Sequence, residues 1–159
     1  MKILLLSVGK QHESYIRQGV EDFTKRLNKY FAAGWQFISP PKNAGSLPEN
    51  ELKKQEAKSV LQLLQPDDVL ILLDERGKQL SSVELAGFIQ QKAVESKKRL
   101  VFLIGGAFGV DESVFRRADF VWSLSKLVFP HNLVRLILSE QLYRAGTIIR
   151  NEKYHHGLI

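Results

Sequence analysis

The sequence predicts an α/β fold in which a mostly parallel β-sheet is flanked by helices. Five short apolar segments alternate along the chain with longer segments whose apolar residues recur at helical spacing. Two of the short segments, Val69–Leu73 and Leu100–Ile104, are apolar at every position, which is typical of parallel strands covered on both faces. No linker, internal repeat or low-complexity tract divides the chain, so we expect residues 1–159 to form one domain.

The first half of the chain supplies two strands and two helices. The apolar run Lys2–Val8 predicts a strand. In Glu13–Tyr30, apolar residues recur at spacings of three and four with charges between them, which predicts an amphipathic helix. Trp35–Ser39 predicts a second strand, and the three prolines of Pro40–Pro48 predict a loop. We expect a helix over Glu49–Gln65 to follow.

The second half supplies three strands and three helices. Val69–Leu73 predicts the third strand, and Asp74–Gly77 predicts the turn that ends it. Ser81 and Glu84 have the spacing of a capping box, so we expect a helix from there to about Lys97. The remaining predicted elements are a strand, a short helix, a strand and a long apolar helix: Leu100–Ile104, Asp111–Ala118, Phe120–Leu124 and His131–Ile149.

Three loops form the expected ligand site, because ligands of parallel sheets bind beyond the carboxyl ends of the strands. This rule selects the segments that follow the third, fourth and fifth strands: Leu73–Gly77, Gly105–Gly109 and Leu124–Phe129. The glycine-rich segment matches neither the dinucleotide fingerprint nor the phosphate-loop motif. Its glycines either let the backbone approach a ligand closely or serve only to reverse the chain.

Charge and composition narrow the classes of function. The chain has 23 Lys and Arg against 17 Asp and Glu, and the basic surplus lies in residues 1–30 and 116–159. Such a surplus indicates a polyanionic partner, for which RNA is the leading candidate, or serves solubility alone. The absence of cysteine excludes disulfides, thiolate metal sites and a cysteine nucleophile. We expect no metal site, and no apolar run is long enough for a membrane span, so we expect a soluble protein.

Motifs distributed along the chain resemble those of one known family. They are, in chain order, Val8-Gly9-Lys10, Leu73-Asp74, Leu103-Ile104-Gly105-Gly106-x-x-Gly109, Ser123-Leu124-Ser125-Lys126-Leu127-Val128-Phe129-Pro130-His131, Val134-Arg135, Glu140-Gln141-Leu142-Tyr143-Arg144-Ala145 and Tyr154-His155. In this order and at this total length, the sequence resembles the bacterial 23S ribosomal RNA (pseudouridine-N3)-methyltransferase H family. That family belongs to the SPOUT methyltransferases.

The resemblance implies a fold, a reaction and partners. The fold would be a SPOUT domain with a deep trefoil knot in its C-terminal half, an exception to unthreaded topology. The protein would be a cytoplasmic homodimer that binds S-adenosylmethionine. It would methylate N3 of a pseudouridine in helix 69 of 23S rRNA, within the ribosome or the large subunit. Two alternatives stay open: a SPOUT methyltransferase acting on another RNA such as tRNA, and a ribosome-binding module without catalysis.

The resemblance also implies which residues contact the cofactor. Its motif positions fall within the three loops selected above by sheet geometry: Leu73, Gly105, Leu124, Ser125, Lys126, Leu127, Val128 and Phe129. Since methyl transfer from a sulfonium is a direct displacement, the reaction needs no metal. The protein has only to hold donor and acceptor in line.

The acceptor N–H must lose its proton, and the sequence offers five polar side chains for this: His131, Glu140, Arg144, Tyr154 and His155. We favour Arg144 and His155 as groups that position RNA or stabilise an anion, and Tyr154 as a group that stacks on or hydrogen-bonds a base. Glu140 and Arg144, four residues apart, equally fit a plain salt bridge, and His131 equally fits a helix cap. The last predicted helix is apolar on more than one face, so we expect it to carry the dimer interface.

Overall fold

The computed structural model describes residues 1–156, a five-stranded sheet with helices on both faces. The strands are β1 (Lys2–Val8), β2 (Ala32–Ile38), β3 (Val69–Gln79), β4 (Arg99–Ile104) and β5 (Phe120–Ser123). The helices are α1 (Ser14–Leu27), α2 (Glu49–Leu63), α3 (Ser82–Val94), α4 (Glu112–Arg117) and α5 (His131–Ile149), with a 3₁₀ turn at Ala44–Ser46. The strand order is β2-β1-β4-β3-β5 and every pair is parallel, which confirms the predicted fold class. The last residues of the C-terminal tail, 157–159, lie outside the described residues.

The predicted elements are all present, and most of their bounds shift by a few residues. β1 and α5 have the predicted bounds. β2 begins three residues before the predicted start because it pairs with β1 along its whole length, from Lys2 opposite Ala32 to Val8 opposite Ile38. The capping box of α3 is confirmed: the Glu84 N–H donates to Ser81 Oγ at 3.0 Å, and the Ser81 N–H donates to Glu84 Oε2 at 3.2 Å.

The prediction that a turn over Asp74–Gly77 ends the third strand is wrong. β3 continues to Gln79 through a bulge, in which Leu73 and Lys78 both lie opposite Trp122 of β5. Local hydrogen bonds satisfy the polar residues there, since the Arg76 N–H and Nε–H both donate to Asp74 Oδ1 at 2.9 Å. A Cβ on Gly77 would lie 2.5 Å from the Val121 carbonyl carbon, so this glycine permits close approach of the two backbones.

Apolar side chains fill both faces of the sheet, as expected for fully apolar parallel strands. On one face, α1, α3 and α5 cover alternate strand residues; the buried ones include Leu5, Ile71 and Phe102. On the other face, α2 and α4 cover Leu6, Leu72 and Leu103. This packing on both faces fixes the carboxyl ends of β1, β4, β3 and β5 at one edge of the sheet.

The long helix α5 packs on the sheet beside α1 and α3. Leu138, Leu142 and Ala145 are fully buried, and every residue from His131 to Ile149 is at least half-buried. A Cβ on Gly19 of α1 would lie 2.9 Å from Leu136 Cδ1, so the two helices approach closely. Much of the apolar surface of α5 is thus covered within one chain. Within residues 1–156, none of the helices is long and apolar enough to cross a bilayer.

Candidate functional site

The three loops selected from the sequence meet in one cleft of about 220 Å³. They meet because β4, β3 and β5 are adjacent in the sheet, so their carboxyl ends lie side by side. The cleft is lined by seven of the eight residues predicted to contact a cofactor: Leu73, Gly105, Leu124, Ser125, Leu127, Val128 and Phe129. Lys126 belongs to the same loop but is not among the lining residues.

The glycine-rich loop forms one wall of the cleft. Gly106 and Gly109 pair as an isolated antiparallel bridge, and the Gly109 N–H donates to the Gly106 carbonyl at 3.1 Å. A Cβ on Gly105 would lie 2.7 Å from Val110 Cγ1, and one on Gly106 would lie 2.8 Å from Glu56 Oε1. A larger residue at Gly105 would therefore displace the Val110 side chain, and one at Gly106 would displace the Glu56 carboxylate. Burial raises the pKa of Glu56, which lies behind this wall.

The loop between β5 and α5 forms the facing wall. Side-chain hydrogen bonds hold its turn: Ser123 Oγ donates to the Ser125 carbonyl at 2.9 Å, and the Leu127 N–H donates to Ser125 Oγ at 3.0 Å. The side chains of Leu127 and Val128 are 69% and 78% exposed, so they leave an apolar rim at the mouth of the cleft. The two walls thus offer backbone hydrogen-bonding groups and apolar surface to a ligand that contains a flat ring.

The charges around the cleft favour a cationic ligand. Asp74 and Glu75 line it at the end of the first, regular segment of β3, and neither lysine nor arginine is among the lining residues. An anion such as phosphate would find no lysine or arginine among the lining residues, whereas a positively charged group would find Glu75 and also Asp74, which Arg76 already pairs through Nε and Nη2 at 2.9 and 3.1 Å. The sequence analysis placed both acids within the ligand-site segment Leu73–Gly77 but named neither of them as a site residue.

His131 lies in the cleft at the first position of α5. Burial lowers its pKa from 6.5 and so does the nearby charge of Arg135, while a hydrogen bond with the Gly106 backbone opposes them. Burial and the charge of Arg135 therefore favour the uncharged imidazole. The N-cap residue of α5 is Pro130, which makes no side-chain capping hydrogen bond, and His131 is the first helical residue, so the structure does not support the cap interpretation of His131.

The other four acceptor-side candidates form a second cluster. Arg144 Nε donates to Glu140 Oε1 at 2.9 Å, so the salt bridge that the spacing allowed is present. Arg144 Nη1 also lies 3.1 Å from His155 Nδ1, and the guanidinium carbon lies 4.7 Å from the centroid of the Tyr154 ring. The hydrogen bond to Glu140 raises the pKa of Arg144, and burial and Glu140 raise that of Tyr154.

The cleft and this second cluster are separate within one chain. His131 opens α5 and Glu140 lies nine residues further on, which is about 13 Å along the helix axis. The structure thus places His131 with the predicted cofactor residues rather than with Glu140, Arg144, Tyr154 and His155.

An aromatic surface beside the second cluster was missed by the sequence analysis. Tyr143 packs against the rings of Phe23, Tyr30 and Tyr154, with centroids 4.7 to 6.2 Å apart. The guanidinium of Arg26 lies 5.6 Å from the Tyr143 centroid. The residues come from α1, α5 and the tail, so no local pattern indicated their meeting.

Comparison with known proteins links these features to one family. A family model described as "Predicted SPOUT methyltransferase" matches residues 1–155. The chain is 44% identical over 156 residues to "Ribosomal RNA large subunit methyltransferase H" of Cytophaga hutchinsonii, covering 98% of this chain and 100% of that protein. It is 40% identical over 158 residues to the protein of the same name from Acetivibrio thermocellus, covering 98% and 99%.

Solved structures show the same fold at low sequence identity. A probable methyltransferase from Bordetella pertussis aligns with a TM-score of 0.56 at 9% identity, covering 91% of this chain and 94% of that one. A probable methylase family protein from Haemophilus influenzae aligns with a TM-score of 0.53 at 13% identity, covering 99% and 71%. These likenesses concern the fold alone.

Proposed function

The chain belongs to the SPOUT methyltransferase family, and from this premise we propose that it methylates large-subunit ribosomal RNA with S-adenosylmethionine as donor. The observation that carries the proposal is the convergence of three strand-end loops in one apolar cleft with two carboxylates at its edge. We further propose, from the family resemblance, that the acceptor is N3 of a pseudouridine in helix 69 of 23S rRNA. The protein would act in the cytoplasm as a homodimer with a knotted C-terminal half.

The lining of the cleft fits the proposed cofactor. Backbone groups of Leu73, Gly105 and the 124–129 loop would hold the adenosine, and the apolar side chains of that loop would cover it. Asp74 and Glu75 would face its positive charges. When bound, S-adenosylmethionine supplies a methyl group activated by the sulfonium. The remaining contribution of the chain is to hold donor and acceptor in line and to exclude water.

The second cluster suits the acceptor base. An imide nitrogen must lose its proton before it accepts a methyl group, so a positive charge held near the acceptor favours the reaction. Glu140 fixes the guanidinium of Arg144 through two nitrogens, at 2.9 and 2.7 Å, and Tyr154 lies against it. Arg144 would stabilise the anionic base, and His155 and Tyr154 would position the nucleotide.

The separation of the two sites supports the homodimer. Because the cleft and the cluster lie at different positions along α5, one chain does not bring the donor to its own acceptor groups. A second copy would place its Arg144 cluster at the cleft of the first. Each active site would then use residues of both chains.

A methylation assay tests the proposal and separates it from its alternatives. The protein is incubated with S-adenosylmethionine labelled in the methyl group and with 70S ribosomes, free 50S subunits or tRNA. We expect label in 23S rRNA, and mass mapping of nuclease fragments should place it on a helix 69 pseudouridine. Label in tRNA alone would favour another RNA substrate. Ribosome binding with no cofactor binding and no label would favour the non-catalytic module.

A further inference from the structure

The C-terminal tail turns back at the end of α5 and carries two of the acceptor-side residues. Asn151 has a φ of 55°, in the left-handed region. Its N–H donates to the Ile148 carbonyl at 3.0 Å, and the Glu152 N–H donates to the Thr147 carbonyl at 2.8 Å. These two bonds form a Schellman motif, which ends the helix and reverses the chain. The residues after the motif therefore return towards the second half of α5.

The contacts of the tail inside the acceptor site are not a sufficient anchor. His155 Nδ1 lies 3.1 Å from Arg144 Nη1, and the Tyr154 hydroxyl donates to Glu140 Oε1 at 3.4 Å. These are the groups that would bind the nucleotide, so they are free for it only if another contact holds the tail. The end of a chain is poorly ordered unless it is tied down, and a site needs supporting residues that fix its side chains.

Tyr30 supplies a contact of this kind from the turn between α1 and β2. Its hydroxyl donates to Glu152 Oε2 at 2.6 Å and so joins residues that are 122 positions apart. A hydroxyl that donates to a carboxylate at such a distance forms one of the stronger hydrogen bonds in proteins. Burial and the bond with Glu152 raise the pKa of Tyr30 to about 12, so the hydroxyl keeps its proton at neutral pH.

The ring of Tyr30 packs against the end of α5. A Cβ on Gly146 would lie 2.8 Å from Tyr30 Cγ, so the glycine makes room for the ring. The guanidinium carbon of Arg150 lies 5.6 Å from the ring centroid of Tyr30. The Tyr143 ring lies 6.2 Å from the same centroid and packs in turn on Tyr154 at 4.7 Å. Tyr30 thus contacts the helix end as well as the tail.

Hydrogen bonds to both flanking elements fix the turn that carries Tyr30. Asn28 Nδ2 donates to the carbonyls of Thr24 and Ala33 at 2.8 and 2.9 Å. The Ala33 N–H donates back to Asn28 Oδ1 at 3.1 Å. The Tyr30 N–H donates to the carbonyl of Leu27, which is fully buried in the core. The core therefore determines where the hydroxyl of Tyr30 lies.

We propose that Tyr30 is a positioning residue for the acceptor site: its hydroxyl holds Glu152 and thereby fixes the tail residues that meet the nucleotide beside Arg144. The inference rests on the proposed function, since it takes these residues to bind the acceptor base. Tyr30 is not among the residues that line the cofactor cleft. It should therefore affect methyl transfer without affecting cofactor binding.

The order of the tail can be measured without cofactor or RNA. Relaxation of the ¹⁵N-labelled amides of Tyr154 and His155 gives their order parameters. We expect about 0.85 in the unmodified chain and a fall to about 0.6 or below in Tyr30→Phe, which removes only the hydroxyl. Tyr15→Phe removes the hydroxyl of a 66% exposed tyrosine of α1 and should leave the tail unchanged. An ordered tail in Tyr30→Phe overturns the proposal.

The rate of methyl transfer separates positioning from stability. At saturating S-adenosylmethionine and rRNA substrate, kcat of Tyr30→Phe should be about tenfold lower, because the acceptor groups are no longer held in line. Its dissociation constant for S-adenosylmethionine should stay within about twofold of the unmodified chain by calorimetry. An unchanged kcat, or an equal loss of cofactor affinity, overturns the positioning role.

Variants of Glu152 test whether the hydroxyl acts through this residue. Glu152→Ala should lower kcat about tenfold, whereas Glu152→Gln, which keeps an oxygen for the hydroxyl, should stay within about threefold. Tyr30→Phe combined with Glu152→Ala should also lose about tenfold, because both changes remove the same bond. A loss of about a hundredfold in the double variant would mean that the two residues act independently and would overturn the proposal.

The positioning role and the proposed function fail in different ways. If the unmodified chain transfers no methyl group, the proposed function is wrong, and the relaxation data alone decide whether Tyr30 holds the tail. If the unmodified chain is active and Tyr30→Phe is equally active, only the role of Tyr30 is wrong. Should Tyr30→Phe fail to fold, Glu152→Ala changes an exposed side chain and gives the same test of tail order and kcat.

Discussion

At the scale of single residues, His12 shows that a titratable group can be buried here without a hydrogen-bond partner. His12 is only 8% exposed, and its ring lies edge-on to the rings of Trp35 and Phe37, whose centroids are 4.9 and 5.0 Å from its own. Its Nδ1 has no partner. Burial, together with the charges of Arg135 and Arg17, lowers the pKa of His12 from 6.5 to about 4.

This histidine should make stability depend on pH. Between pH 6.5 and 4 the unfolded chain binds a proton at His12 that the folded chain does not, so the free energy of unfolding falls as the pH falls through this window. From pH 7.5 to 5, the unmodified chain should lose about 1 to 2 kcal/mol more than His12→Leu, allowing for solvent screening. Urea unfolding at both pH values measures the difference, and equal losses in the two proteins would refute it.

Gly105 should be required for cofactor binding. A valine there would collide with Val110, whose Cγ1 lies 2.7 Å from the Cβ position, and would force this wall of the cleft to change shape. We expect Gly105→Val to lower the affinity for S-adenosylmethionine at least about tenfold by calorimetry. Gly34→Val is the matched control, because a Cβ at Gly34 of β2 has no neighbour within 4 Å. Equal affinities in the two variants would exclude the proposed role of the loop.

Arg144 should affect methyl transfer without affecting cofactor affinity. It is not among the residues that line the cleft of its own chain, and its contacts are with Glu140, Tyr154 and His155. Arg144→Met should therefore bind S-adenosylmethionine within about twofold of the unmodified chain. Its rate of methyl incorporation into rRNA should fall about 100-fold, the magnitude typical of a lost anion stabiliser. If Arg144→Met kept full activity, Arg144 would have no role in methyl transfer, and its function would be limited to the salt bridge with Glu140.

At the scale of elements, the bulge in β3 decides the shape of the cleft. The regular ladder with β4 ends at Leu73, and pairing with β5 resumes at Lys78, so Asp74 and Glu75 are turned out of the ladder at the cleft edge. Gly77 then passes directly against the backbone of Val121. The same segment thus supplies two acids to the site and fixes β5 to the sheet.

Replacing Gly77 should destabilise the protein. In Gly77→Ala, the new Cβ would lie 2.5 Å from backbone atoms of Val121, which cannot move without breaking the pairing of β3 and β5. We expect a loss of at least about 2 kcal/mol in the free energy of unfolding. Gly87→Ala, at an open position of α3, should instead gain up to about 1 kcal/mol. Urea unfolding compares the two variants. An unchanged free energy of unfolding in Gly77→Ala would mean that β3 and β5 can move apart at this point without loss of stability.

At the scale of the whole molecule, the proposed reaction needs two copies of the chain. The donor cleft opens at the start of α5, and the Arg144 cluster lies in its second half with the tail. The apolar rim of Leu127 and Val128 is exposed in the single chain and would be available to a partner. A dimer would carry twice the net charge of +6 of a single chain, which favours the binding of RNA.

Mixed dimers should recover activity that neither variant has alone. When Gly105→Val and Arg144→Met chains are unfolded together and refolded, half of the dimers contain one chain of each kind. Each mixed dimer has one site with an intact cleft and an intact Arg144, so we expect about a quarter of the unmodified activity. Analytical ultracentrifugation of the unmodified chain should show a dimer. A monomer, or no recovery on mixing, would contradict a site shared between chains.

Local sequence patterns determined the elements and the position of the cleft. Periodicity predicted β1 and α5 to the residue, and the capping box predicted the start of α3, because these features depend on neighbouring residues. The loops Gly105–Gly109 and Leu124–Phe129 were identified because parallel strands necessarily bring their carboxyl ends to one edge. The same local signals failed at Asp74–Gly77, where pairing with β5 overrides turn propensity.

Only the tertiary structure decided which distant residues meet. It placed β3 between β4 and β5 so that three loops share one cleft, and it separated His131 from Arg144. It also buried Arg135 against Ser7, which lies 128 residues away in sequence. Burial, desolvation and pKa arise from contacts that no local pattern encodes. For this reason the sequence alone predicted which loops form the cleft, and the packed structure was needed to show which charges surround it.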